Sequence, residues 1–252
     1  MRVFQDSMTM FKRCMMTSLR NPETIGMAII APAIVMWIFA TVFGGTVDVG
    51  ADFNFIDFIV PGILLQTVAQ AIQTTAISVN NDIQRGVVDR FRSMPIAKSA
   101  LLTGHVTAGV VRNILTTAVV IGVAFAVGFR PQASFLDWLA IAGIIILFMV
   151  ALTWVAVFAG VKAKAPENTT GSLFLLFILP FLSSGFTPTE NLPSWLQWFA
   201  QHQPMTPVID ALRGLMMNTP TDGAIPIALA WSAGITIVAA LGSVHLYKRK
   251  MS

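Results

Sequence analysis

The chain has 252 residues, of which 55% are hydrophobic and only 11% charged, with a formal net charge of +4. A soluble globular domain carries about 25% charged residues, so this chain lacks the polar surface needed to face water on every side. Its apolar content excludes disorder, its single cysteine (Cys14) excludes a disulfide scaffold, and its basic balance has no soluble fold on which to build a nucleic-acid face.

In chain order, residues 4 to about 20 predict an amphipathic helix. Phe4, Met8, Phe11, Met15 and Leu19 recur every three or four residues, while Gln5, Lys12, Arg13 and Arg20 lie off that stripe. Asn21-Pro22 then breaks the chain direction, because the residue before proline resists the helical region. A basic helix of this kind belongs in the membrane interface, as an anchor or as a lever toward a cytosolic partner.

Charged residues next delimit apolar stretches. Glu23 to Asp48 encloses 24 uncharged residues, Asp57 to Asp82 another 24, and Arg112 to Arg130 only 17. Asp137 to Lys162 encloses 24, Glu167 to Glu190 encloses 22, and Asp222 to Lys248 encloses 25. A spanning helix needs roughly 20 apolar residues to cross about 30 Å of hydrocarbon. The third stretch therefore starts earlier, near Thr107, with Arg112 in its lower third and its side chain expected to snorkel to the headgroups. The expectation is a single all-α membrane domain over 1–252, with an amphipathic helix at 1–22 and six spans near 24–47, 58–80, 107–129, 138–161, 168–187 and 224–247. Placing both ends of the chain in the cytoplasm puts thirteen of the sixteen Lys and Arg residues on that side, as the positive-inside rule requires.

The second span carries Gln66, Gln70 and Gln73 at i, i+4 and i+7, with Thr67 and Thr74 beside them and Asn80 and Asn81 further along. An unpaired amide in a medium that cannot hydrogen-bond costs roughly 4–8 kcal/mol, so this stripe does not face lipid. It is either glue against a neighbouring helix or the wall of a hydrated cavity.

After the second span, residues 82–95 read as a short cytoplasmic helix ended by Pro95. Ile83, Val87, Phe91 and Met94 share one side, and Asp82, Arg85, Asp89 and Arg92 lie roughly opposite, with Arg90 at the edge. The helix is either a solvated loop with internal charge pairs or a docking surface, since an apolar face on a cytosolic helix wants a surface to cover. Between the fifth and sixth spans, residues 191–217 are too polar and proline-rich to cross. Trp195, Trp198 and Phe199 form an aromatic face suited to the headgroup level. Beyond the Pro204 break, Thr206 is placed to cap a second short helix that starts at Pro207, with Asp210 and Arg213 one turn apart.

No catalytic or metal site is expected. The chain has no GxxxxGK[ST] phosphate loop, and His105, His202 and His245 are scattered without cysteine or carboxylate companions at ligand spacing. Ser183-Ser184-Gly185 has no base in sequence and reads as a softened helix end. The spans lack Asp, Glu and Lys, the usual marks of proton or ion coupling, so any energy source lies on another chain.

Three segments of this layout resemble the ABC-2 family of ATP-binding-cassette permeases, most closely the daunorubicin-resistance type of drug and lipid exporters. They are the first helix ending in Arg20-Asn21-Pro22, the run from Arg85 to Pro95, and the stretch from Gly185-Phe186 to Arg213 with Leu192-Pro193, Trp195-Leu196 and Pro204-Met205-Thr206-Pro207. The resemblance implies a bacterial plasma-membrane protein of the type V exporter fold. Two permease chains, identical or homologous, would pair with two copies of a separate ATPase that holds ATP and Mg. The ATPase-coupling helix would comprise Ile83, Gln84, Arg85, Gly86, Val87, Asp89, Arg90, Phe91, Arg92 and Pro95, although many relatives have glutamate where this chain has Gln84. Gln66, Gln70, Gln73 and Thr74, with Phe177, Phe181 and Ser184 of the fifth span, would line the substrate path. Trp195, Trp198, Pro204, Pro207 and Arg213 would form an outer re-entrant lid. Alternatives are a permease for lipid-linked polysaccharide, which would want an aromatic sugar channel where this chain has one tyrosine, and an ATPase-independent channel.

Overall fold

The computed structural model describes residues 2–19, 22–43, 54–85, 100–189 and 192–251. Among these residues the chain forms nine α-helices: α1 (Arg2–Leu19), α2 (Pro22–Phe43), α3 (Phe55–Gln84), α4 (Ala100–Val127), α5 (Phe135–Lys162), α6 (Pro166–Ile178), α7 (Ser194–His202), α8 (Met205–Met217) and α9 (Ala224–Met251). Four of them, α3, α4, α5 and α9, are long and apolar enough to cross a membrane, with mean hydropathy between 1.7 and 2.7.

Local chemistry sets the helix ends. Ser134 accepts from the Asp137 amide while the Asp137 carboxylate accepts from the Ser134 amide, a capping box that starts α5. Helix α4 ends at Gly128, whose φ of +118° a side chain would resist. The Arg130 guanidinium then donates to the Phe125 and Phe129 carbonyls, and its amide donates to Asp57 at the start of α3. Helix α8 closes on Asn218 in the left-handed region. The segment expected as one span at 168–187 is broken. Helix α6 stops at Ile178, and a 3-10 turn, Leu179–Leu182, contains Pro180, which has no amide with which to continue the α-helical ladder.

Helix α3 is the axis of the bundle. It packs against α2, α4, α5, α6 and α8, and 89% of its apolar window is buried, against 28% for α4 and 22% for α9. The outward faces of those two peripheral helices carry Leu115, Val119, Ile237, Val238 and Leu241, side chains suited to hydrocarbon. One end of the bundle gathers Arg13, Arg85, Lys162, Lys164 and Lys248 to Lys250 and is called the basic end; the far end holds Asp57, Arg130 and Arg213.

At the basic end α3 is tied to α5. The Asn80 amide donates to the Gly160 and Ala163 carbonyls at 3.0 and 2.9 Å, and Gln84 donates to the Lys164 carbonyl at 2.8 Å. Gly160 permits the contact, because a Cβ there would lie 2.5 Å from the Ala76 carbonyl. Asn80→Ala removes both bonds at a buried site, a loss of roughly 1–3 kcal/mol. The thermal unfolding midpoint of the detergent-solubilised chain should fall further for this variant than for Ser134→Ala, whose cap sits at an exposed helix start.

Candidate transport path and its two ends

From Asp57 to Ala69 every residue of α3 is buried within the bundle. Beyond that point a stripe opens: Gln70, Gln73, Thr74, Ile77, Ser78 and Asn81 are each half-buried, one above another at helical spacing. The stripe runs from the middle of α3 to its basic end and is polar at every position but Ile77. Gln66 lies on the same side of the helix one turn earlier, yet only 2% of it is exposed. The three glutamines therefore divide: Gln66 is enclosed by this chain's own helices, whereas Gln70 and Gln73 border open space.

Helix α6 continues this surface. It packs on α3, with Thr169 and Leu173 buried. Near the basic end it exposes Glu167, Asn168, Thr170 and Ser172. Toward the far end it turns aromatic. Phe174 and Phe177 have ring centroids 6.4 Å apart, Phe177 and Phe181 6.0 Å, and Phe181 stacks on Phe186 at 4.8 Å. Phe39 of α2 adds a further ring, 5.3 Å from Phe186. The sequence singles out Phe177 and Phe181. Phe174 shares their helical spacing and was legible in principle, but Phe39 and Phe186 join the ladder only through the fold.

At the far end the contacts converge on Arg213. Its Nη1 donates to Asp210 at 3.0 Å, Nε and Nη2 donate to the Phe58 carbonyl at 3.3 and 3.2 Å, and Nη2 also donates to the Ser184 carbonyl. The guanidinium carbon lies 4.0 Å from the centre of the Phe58 ring. Ser184 closes the circuit by donating its hydroxyl to Asp210 at 2.6 Å. Burial outweighs the pull of Asp210 and lowers the Arg213 guanidinium to about 10, so it stays a cation at neutral pH. Beside this network the chain crosses itself at Gly62 and Gly185, where a Cβ on Gly62 would lie 2.6 Å from the Gly185 carbonyl. Gln203 donates to the Leu179 and Leu182 carbonyls that the broken helix leaves open. One side chain thus fastens α8 to the start of α3 and to the segment after the 3-10 turn.

The rest of the 191–217 segment differs in detail from expectation. Helix α8 begins at Met205, not Pro207, and has no side-chain cap, because Thr206 lies inside the first turn and donates to the Ala200 carbonyl of α7 instead. Pro207 is buried and Pro204 half-buried. Trp195 and Trp198 are exposed, and Trp198 stacks on His202 one turn later. Arg112 also departs from expectation. Its guanidinium turns inward and donates to the Thr75 hydroxyl at 2.7 Å, because α3 presents an oxygen within its reach.

At the basic end, Ile83 is half-buried, Gln84 holds the Lys164 carbonyl, and Arg85 closes α3 through its own amide. A glutamate side chain at position 84 would have no N–H to donate to that carbonyl, so the amide is what makes this tie. Gly86, Val87, Asp89, Arg90, Phe91, Arg92 and Pro95 lie outside the described residues. Among the described residues no group of three His, Cys, Asp or Glu side chains is arranged to hold a metal.

Residues 5–217 match the model of the ABC-2 type transporter family. The chain belongs to that family. As an ABC-2 permease it is 30% identical to the daunorubicin resistance ABC transporter permease protein DrrB1 of Streptomyces coeruleorubidus, over 97% of this chain and 86% of that one. It is 26% identical to the probable doxorubicin resistance ABC transporter permease protein DrrC of Mycobacterium tuberculosis, over 91% and 83% of the two chains. It is also 23% identical to the inner membrane transport permease YadH of Escherichia coli, over 73% of each. In this ABC-2 permease Arg213→Gln should loosen the far end, because one amide cannot replace the fan of guanidinium donors on three groups. Hydrogen exchange of the amides at 58–62 and 183–189 should speed up, while exchange at the basic end of α3 stays unchanged.

Proposed function

We propose that this permease is the membrane subunit of an ATP-driven exporter of amphipathic, aromatic-bearing drug- or lipid-like molecules. The observation that carries the reading is the continuous open surface of α3 and α6. It is polar from Gln70 to Asn81 except at Ile77 and along Glu167 to Ser172, then aromatic from Phe174 to Phe186. Such a surface gives an amphipathic molecule hydrogen-bond partners at entry and ring faces further in. The far-end fastening at Arg213, with α7 and α8 above it, is the lid that opens for release.

Two permease chains, identical or homologous, bring their open stripes together in the plasma membrane, so that the amides face a shared cavity and not lipid. Each chain crosses six times, through α2, α3, α4, α5, α6 with its 3-10 turn, and α9, with both ends of the chain in the cytoplasm. The basic end is the cytoplasmic side, in line with the positive-inside rule. ATP and Mg bind on a separate ATPase present in two copies, which seats on the segment from Ile83 to Pro95. The drug-resistance names of the similar permeases support this class of substrate.

Co-expression with an ATP-binding-cassette ATPase tests the reading. The ATPase should co-purify with the permease, and the permease alone should hydrolyse no ATP. Val87→Asp should insert normally but lose the ATPase, because a charge on a docking face must be desolvated. Turnover by the chain alone above a mock preparation, or full ATPase retention by Val87→Asp and Phe91→Asp, contradicts it. Gln70→Leu should change the pattern of exported compounds while leaving the yield of assembled complex unchanged.

A further inference from the structure

Where α3 reaches the basic end, a single carboxylate gathers three helices. Arg13 of α1 donates to both Asp82 oxygens, at 2.8 and 3.2 Å, and His105 Nε2 of α4 lies 3.0 Å from Oδ2. The other imidazole nitrogen, Nδ1, faces the Cys14 sulfur at 3.6 Å. His105 is buried, with only 4% of it exposed, and Asp82 nearly so. One turn away on α1, Met10 presses against Gly104, where a Cβ would lie 2.5 Å from the Met10 Cβ. Met10 joins Val79, Leu101, Leu102, Val106, Val157, Val161 and Tyr247 in a small second core.

This geometry gives α1 two separate faces. Met10, Arg13 and Cys14 turn toward the bundle. The apolar stripe lies about a third of a turn around, with Met8 exposed and Phe11 and Met15 half-buried. That stripe is left for the lipid interface. Helix α1 packs along α2 and α4, and Arg13 carries its grip across to α3. Asp82 sits three residues before Arg85, where α3 ends, and the same stretch is held to α5 by Asn80 and Gln84.

We propose that Asp82 is a positioning residue for energy coupling, which by holding Arg13 and His105 on one carboxylate makes the basic ends of α1, α3 and α4 move as one body. The proposal rests on the segment from Ile83 to Pro95 being the ATPase contact. Force entering there reaches α3 first, and the clamp passes it to α1 in the interface and to α4 at the same moment. Without the clamp, α1 would lose its tie to the α3 carboxylate and lag behind. Asparagine is the informative replacement: it keeps the size of aspartate but supplies one acceptor oxygen, and turns an N–H group toward two donors.

The test places spin labels on Met16→Cys and Thr107→Cys, both exposed positions, in a Cys14→Ser background, with the full chain in phosphatidylethanolamine–phosphatidylglycerol nanodiscs. For the permease alone, Asp82→Asn should broaden the α1–α4 distance distribution and Asp82→Glu should restore it. In the complex with the ATPase, the unaltered clamp should give the same distribution with and without ATP and vanadate. Asp82→Asn should keep the ATPase bound while permease-stimulated hydrolysis falls at least about fivefold, the lower end of a site-to-site coupling effect. A distribution as narrow in Asp82→Asn as in the parent overturns the clamp, and so does an α1–α4 distance that shifts with nucleotide while Asp82 is intact. If the ATPase does not bind the parent chain, the coupling reading fails, and the arm on the permease alone still decides whether Asp82 fixes α1 to α4.

Discussion

Amides carried into hydrocarbon must find partners, and α3 carries them along most of its length. In water a glutamine costs nothing to leave exposed; in a medium that cannot hydrogen-bond it costs several kcal/mol. That penalty bears on α3 in two ways, by enclosure within the bundle and by alignment on one open side. Wrapping it in α2, α4, α5, α6 and α8 encloses Gln66 and the residues around it. Where the wrapping stops, at Gln70, the remaining polar positions align on one side. A side that is polar, open and at membrane depth needs water, substrate or a second chain against it.

The two ends of α3 are fastened by different chemistry, in keeping with the different tasks proposed for them. At the far end one guanidinium holds backbone carbonyls and a carboxylate from three places in the chain. A single donor fan of this kind releases everything when it turns, which suits a lid. At the basic end the ties are distributed. Asn80 and Gln84 hold α5 and the turn beyond it, while Asp82 holds α1 and α4. Distributed ties resist separation, which suits a place where force is received. Between them, close backbone approaches at Gly62 and Gly160 keep α3 against its neighbours without intervening side chains.

Much of this was legible in the residues. Spacing between charges locates the apolar helices, because charge is what hydrocarbon rejects most strongly. The glutamine stripe at i, i+4 and i+7 is a local property of one helix and survives in the fold. What spacing cannot show is which neighbour a stripe meets, so the split between enclosed Gln66 and open Gln70 came only with the packing. The same holds for α1. Its apolar periodicity is real, but the side turned to the protein is set by Asp82 and His105, nearly seventy or more positions away in sequence. Arg112 illustrates the limit most plainly: a long cation near a membrane surface suggests snorkelling, yet the Thr75 hydroxyl on the facing helix captures it. The break of the fifth apolar stretch at Ile178 was signalled by Pro180, whose missing amide outweighed the length of the stretch.

The central claim is that α3 borders water or substrate along one side of the half that leads to its basic end. Single cysteines placed in turn along 66–81 in a Cys14→Ser background, probed with a small water-soluble thiol reagent in the assembled complex, test it most directly. The structure predicts labelling at 70, 73, 74, 77, 78 and 81, at helical spacing, with protection at 66, 69, 72 and 76. Protection at every position in every nucleotide state would contradict it, and would leave the glutamines as contacts between helices and nothing more.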